Sequence, residues 1–235
     1  MVPSDANAGQ SGAAQPRAES PPSVDSPSHA AAADVGCYGV ERLAEGNARF
    51  LSEIAGSPDP AGLTAALATA DPYAVVIGCS DSRVPPELIF DEGVGRLFVV
   101  RVASHVAGQA EIGTIEYAIA RWNCRVLLVL GHTQCGAISA AMDRLPPEAE
   151  APPTDPGAVN LGPLLSSLRF NLGTSSAQSP DPWLEAVTLN VHRTVEALSL
   201  WSPIIRARVK LGQLAVFGAI YHVETGAVEF LEPAG

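Results

Sequence analysis

The segment Val126-Leu-Leu-Val-Leu-Gly-His-Thr-Gln-Cys-Gly136 decides how this chain folds. It begins with a short, continuous apolar run, which is typical of a strand covered on both faces, as in a parallel sheet. Two potential metal ligands, His132 and Cys135, follow directly. The segment therefore predicts a buried strand whose carboxyl end carries chemically active side chains.

Other parts of the chain repeat this pattern. The further apolar runs are residues 74–77, 97–102 and 214–220. Between two of the runs, Ile112, Ile115 and Ile119 fall at helical spacing, and residues 183–200 carry a longer helical stripe. Buried strands that alternate with helices indicate an α/β fold, with a mostly parallel central sheet flanked by helices. A β-hairpin that turns at Thr225-Gly226 is expected at the end of the chain.

The chain divides into a polar head and one domain. Residues 1–36 are rich in Pro, Ser and Ala, so we expect them to be disordered, because they bury too little apolar surface to offset their ordering entropy. Residues 37–235 are expected to form the domain, which opens with a helix whose apolar residues recur over 40–54. We interpret the stretch 145–181, rich in Pro, Gly and Ser, as an excursion around a short helix at 164–170.

Composition narrows the classes of function. The net charge of -11 argues against a nucleic-acid partner, since such a surface needs clustered Lys and Arg. No apolar run approaches the roughly 20 residues that span a bilayer, so we expect no membrane span. The chain has four cysteines but is too rich in core residues to need disulfide staples, and no secretory signal is visible. We therefore expect reduced thiols and a cytoplasmic location, with Cys124 as a core thiol.

A second polar segment, Cys79-Ser-Asp-Ser-Arg83, follows the first apolar run. Because the carboxyl ends of parallel strands line one crevice, we expect Cys79, His132 and Cys135 to meet there. Two thiolates and an imidazole suit Zn²⁺ in tetrahedral geometry, and three protein ligands leave one position open, as in catalytic sites. The sequence thus predicts one Zn²⁺ per chain, able to lower the pKa of bound water to about 7.

Asp81 and Arg83, beside the first ligand, can form a charge-assisted pair. If Arg83 holds Asp81, the carboxylate is fixed as an acceptor for the proton of zinc-bound water. If Asp81 is released, it can become a fourth metal ligand in a closed state and block the site. Gly136, at the expected start of a helix, leaves backbone room for an anion.

Each of these features also has a plain structural interpretation. Buried cysteines are usually small hydrophobes, and Asp-x-Arg is often only a surface pair. The joint position of the two segments at two strand ends favours the catalytic interpretation.

Several motifs, in their order and spacing, resemble the β-class carbonic anhydrases. They are Cys-Ser-Asp-Ser-Arg-Val-Pro-Pro-Glu (79–87), Leu-Phe-Val-Val-Arg (97–101), Ile-Glu-Tyr-Ala (115–118) and Gly-His-Thr-Gln-Cys-Gly (131–136). The resemblance extends over roughly residues 37–232, and the two metal motifs together are highly specific.

The resemblance implies an antiparallel edge strand and an extended N-terminal helical arm that embraces a second subunit in a homodimer or homotetramer. It implies reversible hydration of carbon dioxide to bicarbonate and a proton, by attack of zinc-bound hydroxide, with the pair Asp81-Arg83 gating the metal site. Phe98 and Tyr117 match apolar pocket positions that line the cleft at the dimer interface. An apolar pocket suits a small, non-polar substrate.

The chain departs from the family at Ser104-His105, where members commonly have Gly-Asn. We place this dipeptide near the pocket rim, either as a proton shuttle or, as we favour, as neutral drift on a supporting turn. Two other functions stay open. One is hydrolysis of carbonyl sulfide or carbon disulfide on the same scaffold. The other is a catalytically silent zinc protein in assembly or bicarbonate sensing, which the intact pair of Asp81 and Arg83 argues against.

Overall fold

The computed structural model describes residues 29–143, 160–173 and 179–232. It divides into two compact units, of which the first ends at Ser57 and the second begins at Pro58. In its described part, the first unit is one long helix, α1 (His29–Gly56). The helix that the sequence predicts over 40–54 is therefore confirmed.

Helix α1 begins eight residues before the predicted domain start at residue 37. Residues 29–36, assigned to the disordered head, belong to the helix. The physical reason is the run Ala30–Ala33, because Ala has the highest helix propensity of all residues. Residues 1–28 lie outside the described residues, so the prediction of disorder for them stays a prediction.

The second unit is built of alternating strands and helices. Its strands are β1 (Ala74–Gly78), β2 (Leu97–Arg101), β3 (Val126–His132), β4 (Ala215–Tyr221) and β5 (Val228–Phe230). Its helices are α2 (Pro60–Ala68), α3 (Pro86–Ile89), α4 (Gln109–Trp122), α5 (Gly136–Asp143), α6 (Leu161–Leu172), α7 (Pro182–Trp201) and α8 (Pro203–Lys210), with a short 3-10 turn at Ala103–His105. The predicted strands and helices are all confirmed; residues 144–159 and 174–178 of the predicted excursion lie outside the described part of the chain.

The strands form one sheet in the order β2-β1-β3-β4-β5. All neighbouring pairs are parallel except β4 and β5, which are antiparallel and joined by the predicted hairpin. In the register, Gly78 lies opposite Arg101 on one side and Leu130 on the other. The carboxyl ends of three strands are therefore level, and Cys79, the next residue after Gly78, emerges beside the end of β3.

Alternate residues of the two central strands face two different layers. On one face, α4, α7 and α8 cover the sheet through a cluster that includes Val75, Ile77, Ile115, Ile119, Leu127, Val129, Val191, Leu198 and Ile205. Each such side chain contributes about 1.5–3 kcal/mol when fully buried. A second cluster, formed by residues of α5, α6 and α7, packs around Cys79 and Cys135 at the carboxyl edge. This second cluster buries the side chains of both cysteines at the strand ends.

Helix α7 approaches the sheet closely because two facing strand positions are glycines. A Cβ at Gly218 of β4 would lie 2.6 Å from Cγ1 of Val191, and a Cβ at Gly131 of β3 would lie 2.6 Å from Cγ2 of the same residue. Real Cβ atoms are not found at such distances from their neighbours. These glycines therefore fix the spacing between α7 and the strand that ends in His132.

No helix in the described part of the chain combines the length and the apolar character that crossing a membrane would require.

We expect the substitution Gly218→Ala to lower the free energy of unfolding by about 1–3 kcal/mol, because the added methyl group overpacks the contact with Val191. Urea denaturation of the variant and the wild type measures the difference. Gly113→Ala is the matched control: Gly113 is exposed in α4, nothing lies within 4 Å of its added Cβ, and we expect a gain of about 0.5–1 kcal/mol. Equal effects of the two substitutions would contradict the close approach of α7.

Candidate metal centre

The strand ends bring together the three predicted metal ligands. The sulfur atoms of Cys79 and Cys135 and a ring nitrogen of His132 all lie within 4.8 Å of one another, and all three residues are buried. Cys79 follows β1, His132 ends β3, and Cys135 comes immediately before α5. The parallel register and one tight turn are thus enough to assemble the cluster.

The hydrogen bonding of His132 leaves one ring nitrogen available to a metal ion. Its Nδ1 donates a hydrogen bond to the backbone carbonyl of Thr133 at 2.8 Å. This bond assigns the proton to Nδ1 and leaves a lone pair on Nε2. Nε2 is buried and has no hydrogen-bond partner in the described part of the chain. A buried polar atom without a partner is costly, and a metal ion on Nε2 would remove that cost.

The two thiols differ in their hydrogen bonds. Cys79 Sγ accepts backbone N–H groups from Asp81 at 3.4 Å and Ser104 at 3.3 Å. Cys135 Sγ lies 3.0 Å from the hydroxyl oxygen of Ser104. The interaction between the two neighbouring thiols raises the pKa of Cys79 and lowers that of Cys135, so Cys135 ionises first. A thiolate is therefore within reach at neutral pH even before a metal binds.

The donor set suits zinc. Two thiolates and one imidazole are the soft and borderline ligands that Zn²⁺ prefers, and three protein ligands are typical of catalytic zinc sites. Together with the unpartnered Nε2 of His132, the buried thiols fit this ion.

Asp81 and Arg83 form the predicted pair beside the cluster. Arg83 Nε donates to Asp81 Oδ1 at 2.9 Å and Nη2 donates to Oδ2 at 2.7 Å, and the backbone N–H of Arg83 also donates to Oδ1. The side-chain hydrogen bonds from Arg83 are the main reason that the pKa of Asp81 falls to about 2. The carboxylate is therefore ionised and held by a two-pronged contact.

The guanidinium of Arg83 also contacts the loop that carries Cys135. It donates to Oε1 of Gln134 at 3.2 Å and to the carbonyl of Gln134 at 3.1 Å. Glu224, in the β4–β5 turn, accepts from Gln134 Nε2 at 2.7 Å and from Thr133 Oγ1 at 2.8 Å. Contacts from three segments, which are distant from one another in sequence, thus fix the orientation of the Arg83 side chain.

The sequence analysis gave no role to Arg101, the last residue of β2. Its Nε donates to the carbonyl of Cys79 at 3.0 Å, and its Nη2 donates to the carbonyl of Asp81. Arg101 thereby fixes the backbone between the first ligand and the carboxylate. A signal was present, since a charged residue interrupts an otherwise apolar run at 97–102. Glu224 carried no such signal, because only the hairpin fold brings it to residues 133 and 134.

The structure corrects the position of Ser104-His105. Both residues are buried, with relative exposures of 0% and 1%, so they do not lie at a pocket rim. Burial lowers the pKa of His105 to about 3. An imidazole that is neutral and sealed from water does not shuttle protons to solvent. Instead, Asn190 of α7 donates from Nδ2 to the carbonyl of Ser104 at 2.9 Å and to His105 Nε2 at 2.8 Å.

The other residues that the sequence singled out lie outside the group of three metal ligands. Phe98 and Tyr117 contact each other, with ring centroids 6.4 Å apart, and Trp122 completes the group. Phe98 pairs with Val75 in the register, about 10 Å before the end of β2 at the usual rise per residue.

Gly136 begins α5 as predicted, and nothing lies within 4 Å of an added Cβ. The pocket roles of Phe98, Tyr117 and Gly136 stay predictions. Cys124 is a buried core thiol, as expected.

Comparisons with known proteins agree with this site. The profile of the carbonic anhydrase family matches residues 74–228, which include every predicted ligand. A carbonic anhydrase of Mycolicibacterium smegmatis is 38% identical over 198 residues, which cover 82% of this chain and 92% of that protein. Carbonic anhydrase 2 of Mycobacterium tuberculosis is 36% identical over 200 residues, covering 78% and 87% of the two chains.

Solved structures give the same result for the fold. The β-carbonic anhydrase of Coccomyxa, determined in complex with acetazolamide, aligns with a TM-score of 0.67 at 28% identity, covering 81% of this chain and 85% of that one. A mostly parallel sheet with two cysteines and a histidine at its strand ends is an arrangement that suits a zinc enzyme of the α/β class. The chain belongs to the carbonic anhydrase family, and within it to the β class.

Proposed function

We propose that this protein catalyses the reversible hydration of carbon dioxide to bicarbonate and a proton. The observation that carries the proposal is the buried cluster of Cys79, His132 and Cys135 with an ionised carboxylate held beside it. The relatives named above are carbonic anhydrases, which supports the same reaction here. A zinc ion held by the cluster supplies a Lewis acid that lowers the pKa of a water molecule to about 7.

Residues of the chain itself contact the reacting water and fix the geometry of the site. Asp81 accepts a hydrogen bond from the reacting water, because its carboxylate is ionised and lies beside the first ligand. Arg83 orients that carboxylate through its two-pronged contact. Arg101 fixes the backbone carbonyls of Cys79 and Asp81, so that the carboxylate keeps its place relative to the ligand.

Asp81 and Arg83 also gate the site in this proposal. While Arg83 holds the carboxylate, Asp81 stays away from a metal held by Cys79, His132 and Cys135. If the pair broke, the carboxylate of Asp81 would be able to bind that metal as a fourth ligand and block it. The contacts of Arg83 with Gln134, and of Gln134 with Glu224, support the open arrangement because they hold the guanidinium in place.

The substrate pocket is proposed to lie between the metal centre and a second subunit. Phe98 and Tyr117 supply apolar surface at the interface, and Gly136 leaves room for bicarbonate near the metal. The exposure of Tyr117, at 58%, supports a role at an interface.

The holoenzyme should contain about one zinc per chain and accelerate carbon dioxide hydration in a stopped-flow indicator assay. Arg83→Ala should keep the zinc but lower kcat/KM by about 10–100-fold, because Asp81 loses its orienting partner. The pKa of Asp81 is about 2 in the wild type, and removing Arg83 moves it up toward its usual value near 3.9. Both values lie well below pH 7, so the loss should persist across pH 7–9 and not be confined to the acid side.

Arg96→Ala is a matched control for this substitution. Arg96 pairs with Asp71 at the surface, and its side chain is 49% exposed, against 48% for Arg83. We expect this variant to keep wild-type activity. If Arg83→Ala kept full activity, the proposed gating role of Asp81 and Arg83 would be wrong. Stoichiometric zinc without any hydration in the wild type would overturn the proposed reaction, and an assay with carbonyl sulfide would then test the hydrolase alternative.

The working unit is proposed to be a homodimer or a homotetramer built from it. Helix α1 carries exposed apolar residues, among them Val40, Leu43 and Leu51 at 67%, 75% and 57%. Exposed apolar stripes of this kind are typical of protein–protein interfaces. β2 also lies at an edge of the sheet, where unpaired backbone groups favour pairing with another chain.

Sedimentation velocity of the wild type should give a dimer or a tetramer, and Leu43→Asp should shift the distribution toward smaller species. Ser52→Ala, an exposed substitution on the same helix, should leave it unchanged. A monomeric wild type at micromolar concentration would contradict the proposed assembly.

A cytoplasmic location is part of the same proposal. Cys79, Cys124 and Cys135 are free thiols in the described part of the chain, and the cytosol keeps such thiols reduced.

A further inference from the structure

Ser104 contacts both sulfur atoms of the metal cluster. Its backbone N–H donates to Cys79 Sγ at 3.3 Å, and its hydroxyl oxygen lies 3.0 Å from Cys135 Sγ. The side chain is fully buried, so water does not compete for the hydroxyl. No other residue in the described part of the chain has hydrogen bonds to both of these sulfurs.

The chemistry of a metal ligand decides the direction of the hydroxyl bond. With both groups protonated, either Ser104 or Cys135 can donate. A cysteine that binds a metal is a thiolate and has no proton to give. The Ser104 hydroxyl is therefore the donor once the site is loaded, and the bond becomes a charge-assisted one.

The backbone at Ser104 has an uncommon conformation, which brings the hydroxyl within hydrogen-bond distance of Cys135 Sγ. Its φ is +55°, in the left-handed region that favours glycine. The carbonyl of Ser104 accepts from Asn190, whose Oδ1 in turn accepts from Asn171 Nδ2 at 2.8 Å. Helices α6 and α7 thus hold a strained residue against the thiols, and a strained, buried polar residue is typical of a functional site.

We propose that Ser104 is a positioning residue for the metal centre: its hydroxyl donates to the Cys135 thiolate and tunes that ligand. The inference rests on the proposed zinc site and deepens it. A hydrogen bond to a ligating thiolate withdraws electron density from the sulfur and fixes its direction. Ser104 therefore makes the metal a stronger Lewis acid and pre-organises Cys135 for binding.

The test compares metal binding and spectra of the holoprotein, both of which are independent of activity. Zinc affinity is measured by competition with a chelator, and the sulfur-to-metal charge-transfer band is recorded on protein loaded with Co²⁺. Ser104→Ala removes the hydroxyl and keeps a Cβ at positive φ. Ser104→Gly removes the hydroxyl as well and also relieves the strain, so this variant is expected to fold. Ser139→Ala, in α5, is the control, because its hydroxyl has no described bond to either thiol.

Both Ser104 variants should shift the charge-transfer band to longer wavelength, since sulfur lone pairs rise in energy when a hydrogen bond is lost. Both should weaken zinc binding by about tenfold, the lower end of the usual effect of residues that support a metal ligand. The control should match the wild type. An unmoved band in both variants overturns the role of Ser104 while leaving the zinc site intact. A shift in Ser104→Ala but not in Ser104→Gly also overturns it, because backbone strain would then be the cause. A wild type that binds no metal overturns this inference together with the proposed function.

Discussion

The parallel register of β1 against β3 is the constraint on which the rest of the structure depends. It sets Gly78 level with Leu130, so that Cys79 leaves the sheet within one residue of the level at which His132 ends β3. A slip of one residue would turn Cys79 to the other face of the sheet, since side chains alternate along a strand. Continuous burial of both strands makes such a slip costly, because every core residue would change layers. The metal centre is thus a consequence of how the core packs.

Around this cluster the chain arranges polar groups that serve the ligands without binding the metal. Arg101 holds the backbone after Cys79, Thr133 fixes the tautomer of His132, and Ser104 reaches both sulfurs. These contacts come from a strand end, a turn and a buried 3-10 segment, each of which packs against the sheet. The protein therefore supplies rigidity and directed hydrogen bonds, which are the means by which a buried site raises the reactivity of a metal.

The sequence was sufficient to predict the strands, the main helices and the ligand set, because apolar runs and strand-end motifs are local signals. Such local signals did not predict the burial of Ser104 and His105. The sequence predicts this dipeptide near the pocket rim, yet both residues are buried, and Asn190, which lies 85 residues from His105, forms a hydrogen bond with its imidazole. Glu224 was missed for the same reason, since its contacts with Thr133 and Gln134 arise from the hairpin. Helix α1 began earlier than expected because alanine propensity outweighed low hydrophobicity at 29–36.

We infer that the strand register and the turn after β3 together bring two thiolates and one imidazole onto a single zinc ion. X-ray absorption at the zinc K-edge of the loaded protein tests it most directly, because the spectrum reports the atoms bound to the metal. We expect two sulfur atoms at about 2.3 Å, one imidazole nitrogen at about 2.0 Å and one further light atom. A shell of four sulfur atoms, or one made only of nitrogen and oxygen, would contradict it.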